Sequence, residues 1–356
     1  MKIRKLNQKG FSHFEAIVLI VVLVVIGSVG TFVYSRMHKS HAGSQGFSQP
    51  YAITTDSLGH VWVANYGDES VTELNAKDGS LVQVLKAAKY GFVRPKAITT
   101  DSLGHVWVVS NVDSKVTELN AKDGSLVKVY KDASYGFNGT YAITTDSLGH
   151  VWVANGVGNS VTEINAKDGS LVKVYNGASY GFNYPGAITT DSLGHVWVAN
   201  YGANSVTEIN AKDGSLVKVY NGASYGFNSP QGITTDSLGH VWVTNLMGNS
   251  VTEINAKDGS LVKVYNGASY GLYSPMAITT DSLGHVWVTN YTNNSVTELN
   301  AKDGSLVKVY KDASFGFNYP SAITTDSLGH IWVANLSGNS VTEINAKDGS
   351  LVQVVK

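Results

Sequence analysis

Polar and apolar residues follow two regimes along this chain. From Ala16 to Tyr34 there are 19 residues without a charge, rich in Val, Ile and Leu. That is enough to cross a bilayer once as a helix, because lipid forces the backbone to satisfy its own hydrogen bonds despite the β-branched run. Beyond residue 45 the apolar runs shorten to strand length. "AITTD", "HVWVAN", "SVTEIN" and "SLVKVY" recur in that order, divided by "DSLG", by a short loop and by "AKDGS". Asp first and Gly fourth in "DSLG" suit a type I turn, and the Asp-Gly of "AKDGS" suits a type I turn followed by a Gly bulge. Each unit thus predicts four antiparallel strands, a to d.

The units repeat without insertion. "HVWV" or "HIWV" begins at His60, His105, His150, His195, His240, His285 and His330, a period of 45. Four strands per repeat and seven repeats predict an all-β, seven-bladed β-propeller. A blade has two apolar faces that it cannot bury alone, so neighbours stack and the ring closes. A solenoid would need atypical end repeats, and here the first and last copies match in phase. In this phase each blade takes all four strands from one repeat, so no strand exchanged between the ends latches the ring. Trp62, Trp107, Trp152, Trp197, Trp242, Trp287 and Trp332 fall one per strand b and belong in the core between blades.

Composition then narrows the classes. A net charge of −1 gives no global field to draw the chain to nucleic acid. With no cysteine there is neither a disulfide nor thiolate chemistry. Lys2, Arg4, Lys5 and Lys9 precede the apolar run, a bias that favours a cytoplasmic N-terminus and an extracytoplasmic propeller. The expected organisation is a basic leader at 1–10, one transmembrane α-helix within 11–38, a short linker at 39–45 and the propeller over 46–356.

Candidate chemistry is sparse. Seven symmetry-related His stand too far apart to converge on one ion. The Asp of "DSLG" is explained by the turn. The Glu of "VTE", from Glu73 to Glu343, and the Lys-Asp of "AKDG" read as solvated edge and turn groups. No phosphate loop, nucleophile elbow or His-Glu metalloprotease motif occurs. No catalytic residue, metal or cofactor is assigned.

Differences between the copies carry more. One varying patch follows strand b ("NYGDE", "NLMGN", "NYTNN"), and the other precedes strand a ("SQPY", "VRPK", "NSPQ"). Because strand direction alternates, the b–c and d–a loops emerge on one face of the disc, and the nearly invariant a–b and c–d loops on the other. Exposure alone would let all four loops drift. The varying face is therefore the expected recognition face. Its candidate ligand-binding residues are Tyr51, Tyr66, Arg94, Lys96, Asn111, Asp113, Tyr141, Tyr184, Tyr201, Leu246, Met247, Met276, Tyr291, Tyr319 and Leu336. Tyr offers broad area and a hydroxyl at low entropic cost. Arg94, the sole Arg of the propeller, is a candidate anchor for a carboxylate.

Two resemblances add to this reading. "PxAITTDSLGHVWVANYGxNSVTEIN" and its copies resemble the NHL and YVTN propeller families and the streptogramin-lyase type. The lyase resemblance implies an asymmetric His and Glu set with a divalent metal at the central site. The repeats offer no His outside the copied position, so no such pair carries over. "KGFSHFE" resembles a type IV prepilin leader, which implies cleavage after Gly10 by a prepilin peptidase, Phe11 as the mature start and Glu15 at its fifth position. The combined expectation is a single-pass, outward-facing binding or adhesion module of the cell membrane, taking a surface glycan or a protein. The alternatives are a lyase or hydrolase with its site near the central channel, and an envelope or pilus-associated spacer.

Overall fold

The computed structural model describes residues 46–356. The expected leader, membrane helix and linker, with Gly10, Phe11 and Glu15, lie outside the described residues. Seven antiparallel sheets of four strands follow one another, each drawn from a single repeat in chain order. In the fifth blade strand a is Pro230–Thr235, b is His240–Asn245, c is Ser250–Asn255 and d is Leu261–Asn266. Local chemistry sets these limits. Asp236 Oδ1 accepts the amides of Leu238 and His240 at 2.9 and 2.8 Å, closing the a–b turn. Asn255 and Asp258 accept the amides of Lys257 and Ser260, closing the c–d loop. After strand d of the fourth blade, a 3-10 turn at Ala223–Tyr225 ends on Gly226 at φ 63° and returns the chain to the axis.

The cores lie between blades. Trp197, Val206 and Tyr220 of the fourth blade pack with Ile233, Val241, Val243 and Ile254 of the fifth. The same arrangement closes the ring, where Trp332, Ala334 and Val341 of the last blade pack with Phe47, Ile53, Val61 and Val63 of the first. All seven Trp are fully buried. Around the axis, Thr55 Oγ1 donates to the carbonyl of Thr325, Thr100 to Thr55, and so on through Thr145, Thr190, Thr235, Thr280 and Thr325. This unbroken circle of bonds spans 2.8 to 3.4 Å. It ties the innermost strands without any exchange of strands.

The glutamates depart from the expectation that they are solvated. Glu73, Glu118, Glu163, Glu208, Glu253, Glu298 and Glu343 are between 1% and 4% exposed. Strand c lies between b and d and is covered on both faces, so its polar side chains must find partners inside. Glu253 accepts the hydroxyl of Tyr265 at 2.5 Å and faces His240 Nδ1 at 3.2 Å. Asp236 takes the other side of that nitrogen at 3.1 Å and also accepts Trp242 Nε1 at 2.8 Å. The Asp of "DSLG" therefore does more than close a turn. In the first and last blades strand d ends in Leu85 and Val355 instead of Tyr, and Gln83 and Gln353 donate to Glu73 and Glu343 at 2.6 Å in its place.

Candidate functional site

The two varying loops share a face, as strand parity predicts, and the backbone ties them. Within a blade the first b–c residue donates its amide to the d–a loop: Tyr66 to Gln49, Tyr201 to Tyr184, Leu246 to Ser229, Tyr291 to Ser274 and Leu336 to Tyr319, each at 3.1 Å. The invariant loops meet at the opposite face, where Ala256 donates to Gly239 at 2.8 Å. Neighbouring blades are joined at the varying face as well. Asn204 Oδ1 accepts the Ser229 amide, and Asn294 Oδ1 the Tyr319 amide, at 2.7 and 2.8 Å. Among the described residues, every non-glycine with positive φ falls on this face, at the turn before strand a (Arg94 49°, Tyr184 50°, Tyr319 51°) or at the end of the b–c loop (Asn204 51°, Asn294 54°). The invariant loops use glycine for the same purpose, for example Gly239 at 86°. Left-handed backbone costs a non-glycine residue about 1–2 kcal/mol, and such strain gathers where function needs a fixed geometry.

Three rings of positions surround the axis. The innermost is the second residue of strand a: Tyr51, Lys96, Tyr141, Gly186, Gln231, Met276 and Ser321. The left-handed residue before strand a and the first b–c residue form the others. Together they enclose a cavity of about 320 Å³ lined by Tyr51, Tyr141, Tyr184, Tyr201, Gln231, Leu246, Met276 and Tyr291. It adjoins a space of about 190 Å³ that shares Tyr51, Tyr141, Gln231 and Met276 with it and is otherwise walled by Lys96, Ser321 and the Ala, Gly and Ile of strands a. The rings touch one another. Tyr184 meets Tyr141 at 5.7 Å and Tyr201 at 5.9 Å, Tyr51 meets Tyr66 at 5.8 Å, and Tyr291 meets Tyr319 at 4.9 Å, centroid to centroid. The hydroxyls of Tyr51 and Tyr141 face each other, with the Gln231 amide beside Tyr141. Burial pushes Tyr51, Tyr141 and Tyr291 above the usual phenol range, so these hydroxyls stay protonated at neutral pH. Lys96 Nζ sits 3.7 Å from the Tyr51 ring and 4.6 Å from that of Tyr141.

The structure thus gathers Tyr51, Tyr141, Tyr184, Tyr201, Leu246, Met276 and Tyr291 into one cavity, with Tyr66, Lys96 and Tyr319 packed against its members, while Arg94 lies one residue further out, on Tyr66. Other candidates fall outside it. Met247 points to solvent at 62% exposure. Asn111 donates to the Thr140 carbonyl at 3.0 Å and serves the joint between two blades. Asp113 is paired with Lys115 at 2.5 Å. Leu336 is absent from the lining. Gln231 was not singled out from the sequence, although it occupies in "NSPQ" the place of Tyr51 and Lys96.

A family model matches residues 37–344, and its description is the virginiamycin B lyase family. The chain belongs to the virginiamycin B lyase family. Among solved structures it is similar to a streptogramin B lyase, at 23% identity, with 82% of this chain and 91% of that one covered and a TM-score of 0.69. It is similar to a catalytically inactive histidine-to-alanine variant of virginiamycin B lyase from Staphylococcus aureus with quinupristin, at 22% identity, 83% and 94% coverage and a TM-score of 0.71. It is also similar to Kuenenia stuttgartiensis hydrazine synthase, at 14% identity, 86% and 98% coverage and a TM-score of 0.68. At these identities the likeness is one of fold. No individual curated protein matches the chain. The streptogramin-lyase resemblance read from the repeats is thereby upheld.

The virginiamycin B lyase fold raises the question of the His, Glu and metal set that this resemblance implies. The residues here do not fit it. No His, Asp or Glu lines the cavity or the channel. Each repeat His starts strand b at the invariant face, its Nδ1 held between two carboxylates, as His195 is between Asp191 and Glu208 at 3.1 and 3.2 Å. Among the described residues no group of three or more His, Cys, Asp or Glu converges as metal ligands would.

Proposed function

We propose that this member of the family is a binding module, and that the residue of a surface glycan inserts into the tyrosine-lined cavity at the channel mouth. The observation that supports it most is the convergence of five Tyr, Gln231, Leu246 and Met276 from different blades on one cavity of about 320 Å³. Flat aromatic faces accept the C–H faces of sugar rings, and the phenol and amide groups supply hydrogen bonds to hydroxyls. The strained, mutually bonded loops hold these groups in place before a ligand arrives, which lowers the ordering cost of binding. The uncharged run from Ala16 to Tyr34 supports display of the propeller at the outer side of a membrane. Family membership favours a lyase instead, but the cavity supplies no carboxylate or imidazole to move a proton. A glycan array probed with the propeller tests the reading. Retention of a defined glycan, lost in Tyr201→Ala and Tyr141→Ala and kept in Met247→Ala, is expected. Retention that ignores the tyrosines would overturn it.

A further inference from the structure

The charge at the cavity narrows the ligand further, and this step rests on the glycan-binding reading. Lys96 enters the channel from the second blade, with Tyr51, Tyr141 and Tyr66 around its ammonium at 3.7, 4.6 and 5.6 Å. Aromatic faces attract a cation but do not neutralise it. Among the described residues no carboxylate pairs with Lys96. On this face Asp68 is taken by Lys86 at 3.2 Å and Asp113 by Lys115 at 2.5 Å. Burial accordingly pulls the Lys96 ammonium down to about 8. Arg94, two residues earlier, rests on the Tyr66 ring at 5.4 Å and gives one nitrogen to its hydroxyl at 3.3 Å, again with no ion pair among the described residues.

The joint between the first and second blades is also unlike the other six. At those six a side chain ending the b–c loop accepts the amide of the next blade's left-handed residue, as Asn159 does for Tyr184 at 2.7 Å and Asn339 for Gln49 at 2.8 Å. Here Glu69 holds that position, no such bond forms, and among the described residues the Arg94 amide has no acceptor. Lys96 in the channel, Arg94 on the Tyr66 ring and a free N–H therefore lie on one side of the channel mouth, and Glu69, exposed at the same joint, forms no ion pair with either cation. A desolvated cation gains most from a carboxylate that brings charge-assisted hydrogen bonds into the low-dielectric site.

We infer that the cavity takes a carboxylated sugar, its carboxylate meeting Lys96 and Arg94 and its ring lying against the tyrosines. The test is retention of the full chain in detergent on uronate- and sialate-bearing glycans, each beside its methyl ester and a neutral counterpart. At least one acidic glycan is expected to bind ten times or more tighter than its ester. Lys96→Met, which keeps the tyrosines packed, should remove that preference. Lys96→Arg should retain part of it, and Tyr201→Ala should weaken acid and ester alike. Equal binding of acid and ester, or retention of neutral glycans alone, overturns the inference and leaves the glycan reading standing. If no glycan binds while the melting temperature is normal, both fall.

Discussion

Asp236 offers the sharpest test of how a blade is held. Its side chain is 3% exposed and receives four donors: the amides of Leu238 and His240 on Oδ1, and His240 Nδ1 and Trp242 Nε1 on Oδ2. The two carboxylates facing His240 Nδ1 make that nitrogen a donor. An ionised carboxylate only accepts, whereas a carboxamide has one accepting end and one donating end. Asp236→Asn keeps the shape yet sets an NH₂ against two donors whichever way it turns. If the oxygen stays with the buried Trp242 and His240, the turn amides lose their acceptor. Each orphaned buried group costs about 1–3 kcal/mol, and the turn amides recover part of this from water. The expected loss is about 2–4 kcal/mol, read in urea from Trp fluorescence as a lower midpoint at unchanged slope. The equivalent Asp101→Asn, three blades away, should cost the same, and the double variant should show the sum. A variant within about 0.5 kcal/mol of the parent would refute the four-donor account.

Other consequences are as direct. Trp197→Ala removes a fully buried ring stacked on Tyr220 at 5.5 Å and should cost about 3–5 kcal/mol by the same urea assay. Gly214 has φ 70°, and a Cβ there would lie 2.0 Å from the Tyr175 hydroxyl of the preceding blade, whereas Gly194 has φ 86° and open space. Gly214→Ala should therefore lower the melting temperature clearly more than Gly194→Ala, which meets only backbone strain of about 1–2 kcal/mol. The buried glutamates give a pH signature. Burial raises Glu253 above its ordinary value of about 4.5, and the other six likewise, so the unfolded chain releases these protons first. Their stabilising contribution is complete below the ordinary carboxylate value and is lost as pH rises through the raised one. The exposed Asp258 and its equivalents, lowered by hydrogen bonds from Ser, act only below about pH 4 and in the opposite sense. The melting temperature should rise as pH falls through the raised value toward the ordinary one of about 4.5, and Glu253→Gln should flatten that rise by one site's share.

Strands b and c were legible to the residue, because "HVWVAN" and "SVTEIN" are bounded by turn chemistry on both sides. Strand a was not. It begins at Pro230, two residues before "GITTD", paired with Asn245 across an irregularity that side-chain alternation does not register. The residue after that Pro was read as loop and in fact points along the channel, which is why Tyr51 and Lys96 were noticed for their chemistry while Gln231 was passed over. Glu253 was misread because an apolar-polar alternation implies a wet face, and in an inner strand both faces are dry. The 3-10 turn at Ala223–Tyr225 lies inside a loop whose Gly and Ser content hides it, and only the stacking of Tyr225 on Phe227 at 5.5 Å shows why it forms. The face carrying the site followed from connectivity alone, but its emptiness of acid near Lys96 needed coordinates.

The seams between the third, fourth, fifth and sixth blades are built from nearly the same residues. To its neighbours, one middle blade is therefore nearly equivalent to another. Exchanging the fifth and sixth repeats would change the cores only by conservative apolar swaps and move Gln231 and Met276 to new stations around the cavity. Stability and recognition are thus written in separate alphabets within the same 45 residues. Recombination between repeats can compose a new binding surface from parts already proven to fold, with no compensating change in the interior.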